Sequence, residues 1–412
     1  MVPGEQVNQL TSTETDIIIS GAGPAGLCLA RALSGRGLRI TLIEQLPQSE
    51  LLNPPFDGRE IALTQHSAQL MRTLDLWERI APCAISPLRD ARVLNGPSPF
   101  AMTIGHELSQ KSELGWLVSN HLIRRAAYES VQESMQRHQD ITLLCGEKVT
   151  SLNSNDQGAC VSLASGRSLQ ARLVVAADSR FSETRRAMGI GADMHDFGKT
   201  MLLCCMTHEQ PHHHAAWEWF GYGQTLALLP MNPAPVTHEY RSSVVLTLAS
   251  SSIMPLMSME AGAFGLEMQS RFLQRLGRMN LVSTRHSYPL VGVYPHRFVA
   301  KRFATVGDAA VGMHPVTAHG FNFGLLGVET LSQAILKAHA AGADIADAKM
   351  LEGYERTHRR ATRPLYLATQ LVSTLYTTDT PPARLLRAAA LRVGEALIPF
   401  KRAIAATLSG SH

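Results

Sequence analysis

The segment Gly21–Gly26, with the sequence GAGPAG, constrains this chain more than any other. It fits the pattern GxGxxG and follows a short apolar run at residues 16–20 that is typical of a buried parallel strand. Residues 25–34 have helical periodicity, and residues 39–44 indicate a second strand. Strand, glycine turn, helix and strand within about 30 residues predict a βαβ unit of the dinucleotide-binding type.

Each residue of this motif has a predicted role. Gly21 permits a tight turn, Gly23 lets a pyrophosphate approach the backbone, and Gly26 allows close packing of helix on strand. Glu44 ends the second strand, where a carboxylate accepts hydrogen bonds from ribose hydroxyls. Because two anions repel, Glu44 argues against a 2′-phosphate at this site.

A second motif lies far along the chain, where a predicted strand at residues 303–306 runs into Gly307 and Asp308. The Asp308 carboxylate is predicted to bind the ribityl hydroxyls of FAD. A helix from about Asn322 places its positive end where a reduced flavin carries negative charge. NAD needs no such distant second site, so the predicted cofactor is FAD. The alternative at this point is that Asp308 caps a helix.

The composition limits the remaining classes. At 412 residues the chain favours two connected domains, and its net charge of +4, from 38 Lys+Arg and 34 Asp+Glu, does not indicate a nucleic-acid partner. The six cysteines lack CxxC spacing, and no metal site is predicted; the tract His212–His214 is interpreted as a surface feature. Residues 1–15 lack an apolar signal region, and no apolar run is long enough to span a membrane. The expected location is the cytoplasm.

The predicted fold class is α/β, with a Rossmann-type FAD-binding domain, a second, mainly β-sheet substrate domain and a helical C-terminal region. Helices are predicted at residues 64–81 and 120–137, and three or four more within residues 322–408. The predicted segments are 1–82, 119–196 and 301–412 for the FAD-binding domain with the C-terminal helices, and 83–118 and 197–300 for the substrate domain.

At these motifs the chain resembles the class A flavoprotein monooxygenases, the family of para-hydroxybenzoate hydroxylase, and within it most of all the ubiquinone-biosynthesis hydroxylases. The resemblance includes Arg59 in the segment 58–64, the sequence at 176–178, and residues 288–290. It implies that NAD(P)H reduces FAD and that O₂ then forms a flavin C4a-hydroperoxide, which hydroxylates an activated phenol. The implied substrate is a prenylated phenol of ubiquinone biosynthesis. The alternatives are a soluble aromatic or secondary metabolite, or a flavin-binding scaffold in a biosynthetic complex.

The resemblance also implies roles for individual residues. Arg59 would contact the flavin, Asp178 and Arg185 would serve both flavin and pyridine nucleotide, and Asp308 would hold the ribityl chain. The residues implied to line the isoalloxazine run from Pro315 to Asn322 and include Gly320 and Phe321.

Several positions depart from the family pattern. Its Asp-Gly pair is Asp178-Ser179 here, its usual histidine after Asp-Ala-Ala is Val311, its Gly-Gln-Gly is residues 318–320 with His319 at the centre, and a helix arginine is His121. The first change means that a tight turn forms without glycine. His314 and His319 are the predicted catalytic candidates, as titrating groups near the flavin.

Two further interpretations concern surfaces. The C-terminal region is basic and amphipathic, which favours either a helix packed on the FAD-binding domain or peripheral contact with an anionic membrane at its inner face. A pocket for the substrate is predicted on the second domain, although each of its residues also suits a plain core. The basic residues are Arg387, Arg392, Lys401 and Arg402, and the pocket candidates are Met201, Leu203, Trp217, Phe220, Leu226 and Leu228.

Overall fold

The computed structural model describes residues 13–109, 111–221, 223–313, 319–377 and 381–410. The strands in this part of the chain are β1 (Thr13–Ser20), β2 (Ile40–Glu44), β3 (Glu60–Thr64), β4 (Ser86–Leu88), β5 (Asp90–Asn95), β6 (Ala101–Gly105), β7 (Gly115–Ser119), β8 (Ile141–Cys145), β9 (Val149–Ser154), β10 (Ala159–Leu163), β11 (Ser168–Ala176), β12 (Ala192–His208), β13 (Ala215–Phe220), β14 (Thr225–Met231), β15 (Tyr240–Ala249), β16 (Met279–Leu281), β17 (His286–Pro295), β18 (Val299–Ala300) and β19 (Phe303–Thr305). The helices are α1 (Pro24–Leu33), α2 (Gln48–Leu52), α3 (Gln65–Thr73), α4 (Asn120–His138), α5 (Glu183–Ala187), α6 (Ile253–Ser258), α7 (Ala261–Arg271), α8 (Gly320–Ala340), α9 (Ala348–Thr377), α10 (Pro381–Ala396) and α11 (Ile398–Ser409).

A mostly parallel sheet forms the first layer, in the order β18-β19-β11-β1-β2-β8, with β9 and β10 continuing from β11 as an antiparallel meander. Ile17 and Ile19 pack under the helices, whereas Ile18 packs under the meander. Both faces of β1 are therefore covered at residues 17–19, which is why this run is apolar without alternation. The carboxyl ends of β1, β2, β11 and β19 meet at one edge, since Ser20 pairs with Ile43 and Ala176, and Ala176 with Thr305.

A mainly antiparallel sheet forms the second layer, in the order β16-β12-β15-β14-β13-β5-β6, with β17 also paired to β12. One face packs on α6 and α7 through residues such as Leu202, Val244 and Phe264. The opposite face carries Met201 and Leu203. These two layers and the C-terminal helices agree with the predicted fold class. The division into domains remains a proposal, supported because segments 83–118 and 197–300 supply most strands of this sheet.

The C-terminal helices contact both sheets. The Tyr354 hydroxyl of α9 donates a hydrogen bond of 2.6 Å to the carbonyl of Thr305, two residues before Gly307. Leu391 of α10 and Ala405 of α11 pack on Met102 of β6. None of the described helices combines the length and the apolar character needed to cross a membrane.

The prediction of one helix over residues 64–81 is wrong. Thr64 caps α3 by accepting a hydrogen bond from the Ser67 N–H, but α3 ends at Thr73. Asp75 then adopts a left-handed conformation with φ of 61°, which no helix can continue through. Two short 3₁₀ helices follow, at Trp77–Arg79 and Pro82–Ala84. The helix expected from about Asn322 begins two residues earlier, at Gly320.

Candidate active site

The three glycines of the first motif meet different surroundings. Gly21 has φ of +106°, and a Cβ there would lie 2.6 Å from the Ala177 carbonyl oxygen. A Cβ on Gly26 would lie 1.9 Å from the Gly21 carbonyl oxygen. For Gly23 the nearest described atom would be the Ala177 oxygen at 4.0 Å. Gly21 and Gly26 are therefore required by the fold, whereas the space at Gly23 is open beside the first turn of α1, where backbone N–H groups favour an anion.

Glu44 lies beside this turn. One carboxylate oxygen accepts a hydrogen bond of 2.7 Å from the Ala22 N–H, and the other accepts one of 3.0 Å from the Leu46 N–H. These bonds fix the carboxylate at the carboxyl end of β2. An ionised carboxylate has about four acceptor positions, so Glu44 retains capacity for further donors.

A cleft of about 60 Å³ opens next to the same edge of the sheet. Its walls carry the carboxylates of Glu44, Glu147, Asp178 and Glu183. Asp178 Oδ2 accepts a hydrogen bond of 3.2 Å from the Thr184 hydroxyl, whereas its buried Oδ1 has no partner among the described residues. An unsatisfied buried acceptor costs about 1–3 kcal/mol, so this oxygen fits a site that a donor group of a ligand completes. The acidic walls suit hydroxyl and amino groups and disfavour phosphate.

The segment after β11 forms its turn without glycine, as its sequence predicts. The Ser182 N–H donates to the Ser179 carbonyl at 3.0 Å, and the Ser179 hydroxyl oxygen accepts from the Phe181 N–H at 3.2 Å. Ser179 is not among the residues with positive φ, so the position needs no glycine.

Arg185 departs from the role that the resemblance implied. It is 2% exposed and donates to the carbonyls of Arg180 and Ala309, both at 3.1 Å, which ties this segment to the second motif.

The second motif packs closely against the first. Gly307 has φ of +62°, and a Cβ there would lie 2.7 Å from the Cβ of Ala25 in α1. The Asp308 side chain is 43% exposed and pairs with Arg180 at 3.2 Å. Since His319 is the N-cap residue of α8, the alternative that Asp308 caps the following helix does not describe this structure.

The start of α8 joins this site to β3. The side-chain amide of Asn322 donates to the Ala62 carbonyl at 2.9 Å and accepts from the Thr64 N–H at 3.1 Å. Its side chain is thus engaged by β3. A Cβ on Gly320 would meet no described atom within 4 Å, and Phe321 is half-buried. His314 and Pro315 lie outside the described residues.

Arg59 lies where the two layers meet. Its guanidinium pairs with Asp57 at 2.5 Å and stands over the Tyr288 ring at 5.6 Å from the centroid. The Tyr288 hydroxyl donates to the Asp57 carbonyl at 2.9 Å, and Asn120 donates to the Asp57 carboxylate at 2.7 Å. Burial opposes ionisation of Asp57, but Arg59 and Asn120 together hold its pKa below the usual range. The distant segments 58–64 and 288–290 are therefore brought into contact.

The residues predicted to line a substrate pocket lie on two different faces of the second sheet. Trp217 pairs with Leu228 across β13 and β14, and both, with Leu226, belong to the core against α6 and α7. These three side chains share the face that packs on α6 and α7, since alternate side chains of a strand point to the same face. Met201 and Leu203 lie on the opposite face, next to Tyr288 and Leu290. Phe220 follows the core residue Trp219 and so shares their face.

The interpretation of His212–His214 as a surface tract is wrong for His212. This residue is buried, donates from Nε2 to the Met231 carbonyl at 3.0 Å and accepts at Nδ1 from the His214 N–H at 3.0 Å. Burial lowers its pKa to about 4. His213 and His214 have φ of 51° and 56°, and this turn places His212 inside.

A groove that the sequence did not reveal runs beside the start of α8. Its volume is about 380 Å³, and α3, α8, α9 and α11 contribute its walls. Its polar lining residues include Thr64, Ser67 and His319. Its apolar lining residues include Phe323, Leu326, Pro364, Leu365 and Ala368. Because four separate segments contribute, no local pattern could indicate it.

Comparisons with known proteins agree with this geometry. Residues 14–366 match the FAD binding domain family. The chain is 44% identical to ubiquinone hydroxylase UbiM of Neisseria meningitidis, over 97% of this chain and 85% of that protein, and 33% identical to ubiquinone hydroxylase UbiL of Rhodospirillum rubrum, over 94% and 87%. Its fold is similar to that of p-nitrophenol 4-monooxygenase PnpA from Pseudomonas putida, with a TM-score of 0.74, 17% identity and coverage of 98% of this chain and 100% of that one. The chain therefore belongs to the FAD binding domain family and is an FAD-dependent monooxygenase.

Proposed function

We propose that this enzyme hydroxylates the aromatic ring of a prenylated phenol in ubiquinone biosynthesis, with NAD(P)H as electron donor. The similarity to UbiM and UbiL supports the pathway, since both are ubiquinone hydroxylases. The observation that supports the substrate class is the groove of about 380 Å³ beside α8, because its walls combine apolar side chains with polar ones. Such a lining suits the apolar tail of an amphipathic phenol.

The site residues have separate proposed roles toward FAD. The turn of Gly21, Gly23 and Gly26 with the start of α1 holds the diphosphate, Glu44 and Asp178 accept from the adenosine half, and Asp308 accepts from the ribityl chain. Bound FAD supplies the oxygen-activating chemistry. The residues proposed beside its ring system are Arg59, His314, Pro315, His319, Gly320 and Phe321, with Asn322 positioning the start of α8.

The protein contributes to hydroxylation by excluding water from the site and by fixing the position of the substrate's aromatic ring. Met201, Leu203 and Leu290 form an apolar cluster on the face of the second sheet that carries Tyr288. An apolar surface of this kind excludes water and so limits unproductive decay of the activated oxygen. We assign the aromatic head of the substrate to this face.

Exposed apolar side chains lie on α9 near the groove. Leu367 and Leu371 are 52% and 71% exposed, and each follows a groove-lining residue, Pro364 or Ala368, by three positions. This part of α9 therefore presents apolar side chains to solvent beside the groove. At about 30 Å³ for each water-sized group, the groove has room for roughly a dozen such groups. This supports an apolar tail of several carbon atoms.

Peripheral membrane contact is a further part of the proposal, on a smaller set of charges than the sequence suggested. Arg387 is fully buried, and Lys401 pairs with Glu395 at 2.8 Å. Arg392 and Arg402 remain exposed near an exposed apolar group. That group consists of Val393, Leu397, Ile398 and Phe400. Basic and apolar residues together favour an anionic bilayer, into which a prenylated substrate partitions.

The test uses a substitution that fills the groove with a large side chain. Ala368→Trp should raise KM for a polyprenylated phenol by about tenfold, the effect of losing two or so buried CH₂ groups, and leave KM for the same phenol with a short side chain unchanged. Ala340→Trp, at the exposed far end of α8, is the matched control. Product analysis should find one added ring hydroxyl. If the short and the long phenol are affected equally, the groove does not hold the tail; if the soluble phenol alone is hydroxylated, the soluble-aromatic alternative applies.

A further inference from the structure

Arg180 connects the two motifs of the site, although no sequence pattern singled it out. One of its terminal nitrogens pairs with Asp308 at 3.2 Å, and the other donates to the Val291 carbonyl at 3.0 Å. Its stem packs on Gly312, where an added Cβ would come within 2.7 Å of the Arg180 Cβ. The guanidinium therefore has a defined position between β17 and the second motif.

The backbone around Arg180 is held independently of its side chain. The buried Arg185 guanidinium donates both to the Arg180 carbonyl and to the Ala309 carbonyl. Gly307, next to Asp308, packs on Ala25 in the first turn of α1. Arg180 thus pairs with the motif that packs on the first turn of α1, and its backbone would stay in place if Asp308 changed partner.

The charges around the Gly21–Gly26 turn favour a cation near a bound diphosphate. The segment Gly21–Gly26 contains no Lys or Arg, and the cleft beside it carries four carboxylates. Two nearby cations are already engaged in ion pairs: Lys148 pairs with Glu183 at 2.7 Å, and Arg59 pairs with Asp57 at 2.5 Å. A diphosphate brought next to these acids is stabilised by a positive charge on its other side.

We propose that Arg180 is an anion-binding residue, which exchanges its pairing with Asp308 for the diphosphate of a bound dinucleotide. Both partners of the present pair are partly exposed, at 29% and 43%, and pairs of this kind contribute little to stability. The exchange therefore costs little. It leaves the Asp308 carboxylate to accept from ribityl hydroxyls and gives the diphosphate a planar, two-point donor.

The experiment compares ligands with and without a diphosphate. Apoprotein of the wild type, Arg180→Gln and Arg186→Gln is titrated with FAD and with riboflavin, which keeps the ribityl chain and lacks phosphate. Arg186 is exposed on α5 and is the matched charge control. Arg180→Gln should raise Kd for FAD by about tenfold and change Kd for riboflavin less than about twofold, as expected for one lost charged hydrogen-bond contact. Arg186→Gln should leave both within about twofold.

A second measurement, of flavin reduction by NADH or NADPH, identifies which dinucleotide supplies the diphosphate. If Arg180→Gln leaves FAD affinity unchanged but raises the NADH or NADPH concentration for half-maximal flavin reduction by about tenfold, the bound diphosphate is that of the electron donor and the proposal stands. If FAD and riboflavin weaken equally, Arg180 acts only by positioning Asp308, and the proposal is overturned. No change in any of these constants overturns it as well. The FAD titration needs no turnover, so its result is independent of the proposed substrate.

Discussion

The parallel and the antiparallel sheet place their functional residues by different rules. In the parallel sheet both faces are buried, and the site lies beyond the strand ends, at Gly21, Glu44 and Gly307. In the antiparallel sheet one face packs in the core and the other carries the apolar cluster to which we assign the substrate ring, so the neighbours Leu202 and Leu203 have different surroundings. Residues at strand ends are recognisable from a local motif. Residues on a face are recognisable only when the register and the packing partner are known.

The largest expected effect separates two glycines at the start of α1, beside the edge of the parallel sheet. Gly26→Ala should destabilise the protein by more than about 3 kcal/mol, because the new Cβ would meet the Gly21 backbone, which cannot move away. Gly23→Val should leave the apoprotein folded and abolish FAD binding, because its side chain occupies open space. Thermal unfolding of both apoproteins and the flavin absorbance of the purified proteins measure the difference. A yellow Gly23→Val protein would contradict the proposed cradle.

The second prediction applies the same comparison to the antiparallel sheet. Leu202→Ala should lower the free energy of unfolding by about 2–5 kcal/mol and leave KM for the aromatic substrate unchanged, because Leu202 packs only in the core. Leu203→Ala should lower stability less and raise KM severalfold, since Leu203 lies on the face assigned to the ring. Denaturant unfolding and steady-state kinetics test the pair. Equal KM values for the two variants would remove the distinction between the faces.

The third prediction compares two buried histidines, His358 in α9 and His212 in the loop before β13. His358 in α9 is fully buried, and neither ring nitrogen has a partner among the described residues, whereas His212 makes two hydrogen bonds. Burial lowers the pKa of His358 to about 4 and of His212 to about 4. The unfolded chain therefore binds more protons, and stability should be complete above about pH 6.5 and fall by up to about 3 kcal/mol per histidine as pH drops toward 4.

His358→Leu should remove part of this pH dependence at little cost near pH 8, because the replacement leaves no polar atom unsatisfied. His212→Leu should remove a similar part but cost about 1–3 kcal/mol at pH 8, since the Met231 carbonyl loses its donor. Urea unfolding between pH 4.5 and 8 measures both. An unchanged pH slope in His358→Leu would show that another group carries the acid sensitivity.

The smallest expected effect concerns the turn after β11. Ser179→Gly restores the residue of the family pattern, but Ser179 already adopts an ordinary backbone conformation and its hydroxyl accepts from the Phe181 N–H. The substitution should therefore destabilise by no more than about 1 kcal/mol, through the added freedom of the unfolded chain. The melting temperature and the FAD affinity of this variant provide the measurement. A clear gain in either would mean that the serine turn is strained.

Much of the FAD-binding layer could be predicted because its signals are local. The βαβ unit, the acid at Glu44 and the strand before Asp308 each depend on residues close together in sequence. The helix predicted over 64–81 failed because apolar periodicity continues past Thr73, whereas the left-handed Asp75 ends the helix. His212 was misassigned because three polar residues indicate a surface, and only the turn at His213 places the first of them inside.

The sequence by itself determined the cofactor and the kind of fold, since glycine spacing and β-branched runs act through backbone sterics that hold in any context. Tertiary structure alone decided the partners of the charged groups. Arg185 became an internal clamp, Arg180 came to face Asp308, and Arg387 was buried although its neighbours Arg392 and Arg402 stayed exposed. The environment of a charge depends on segments more than 100 residues away, because desolvation and ion pairing are set by whatever packs against it.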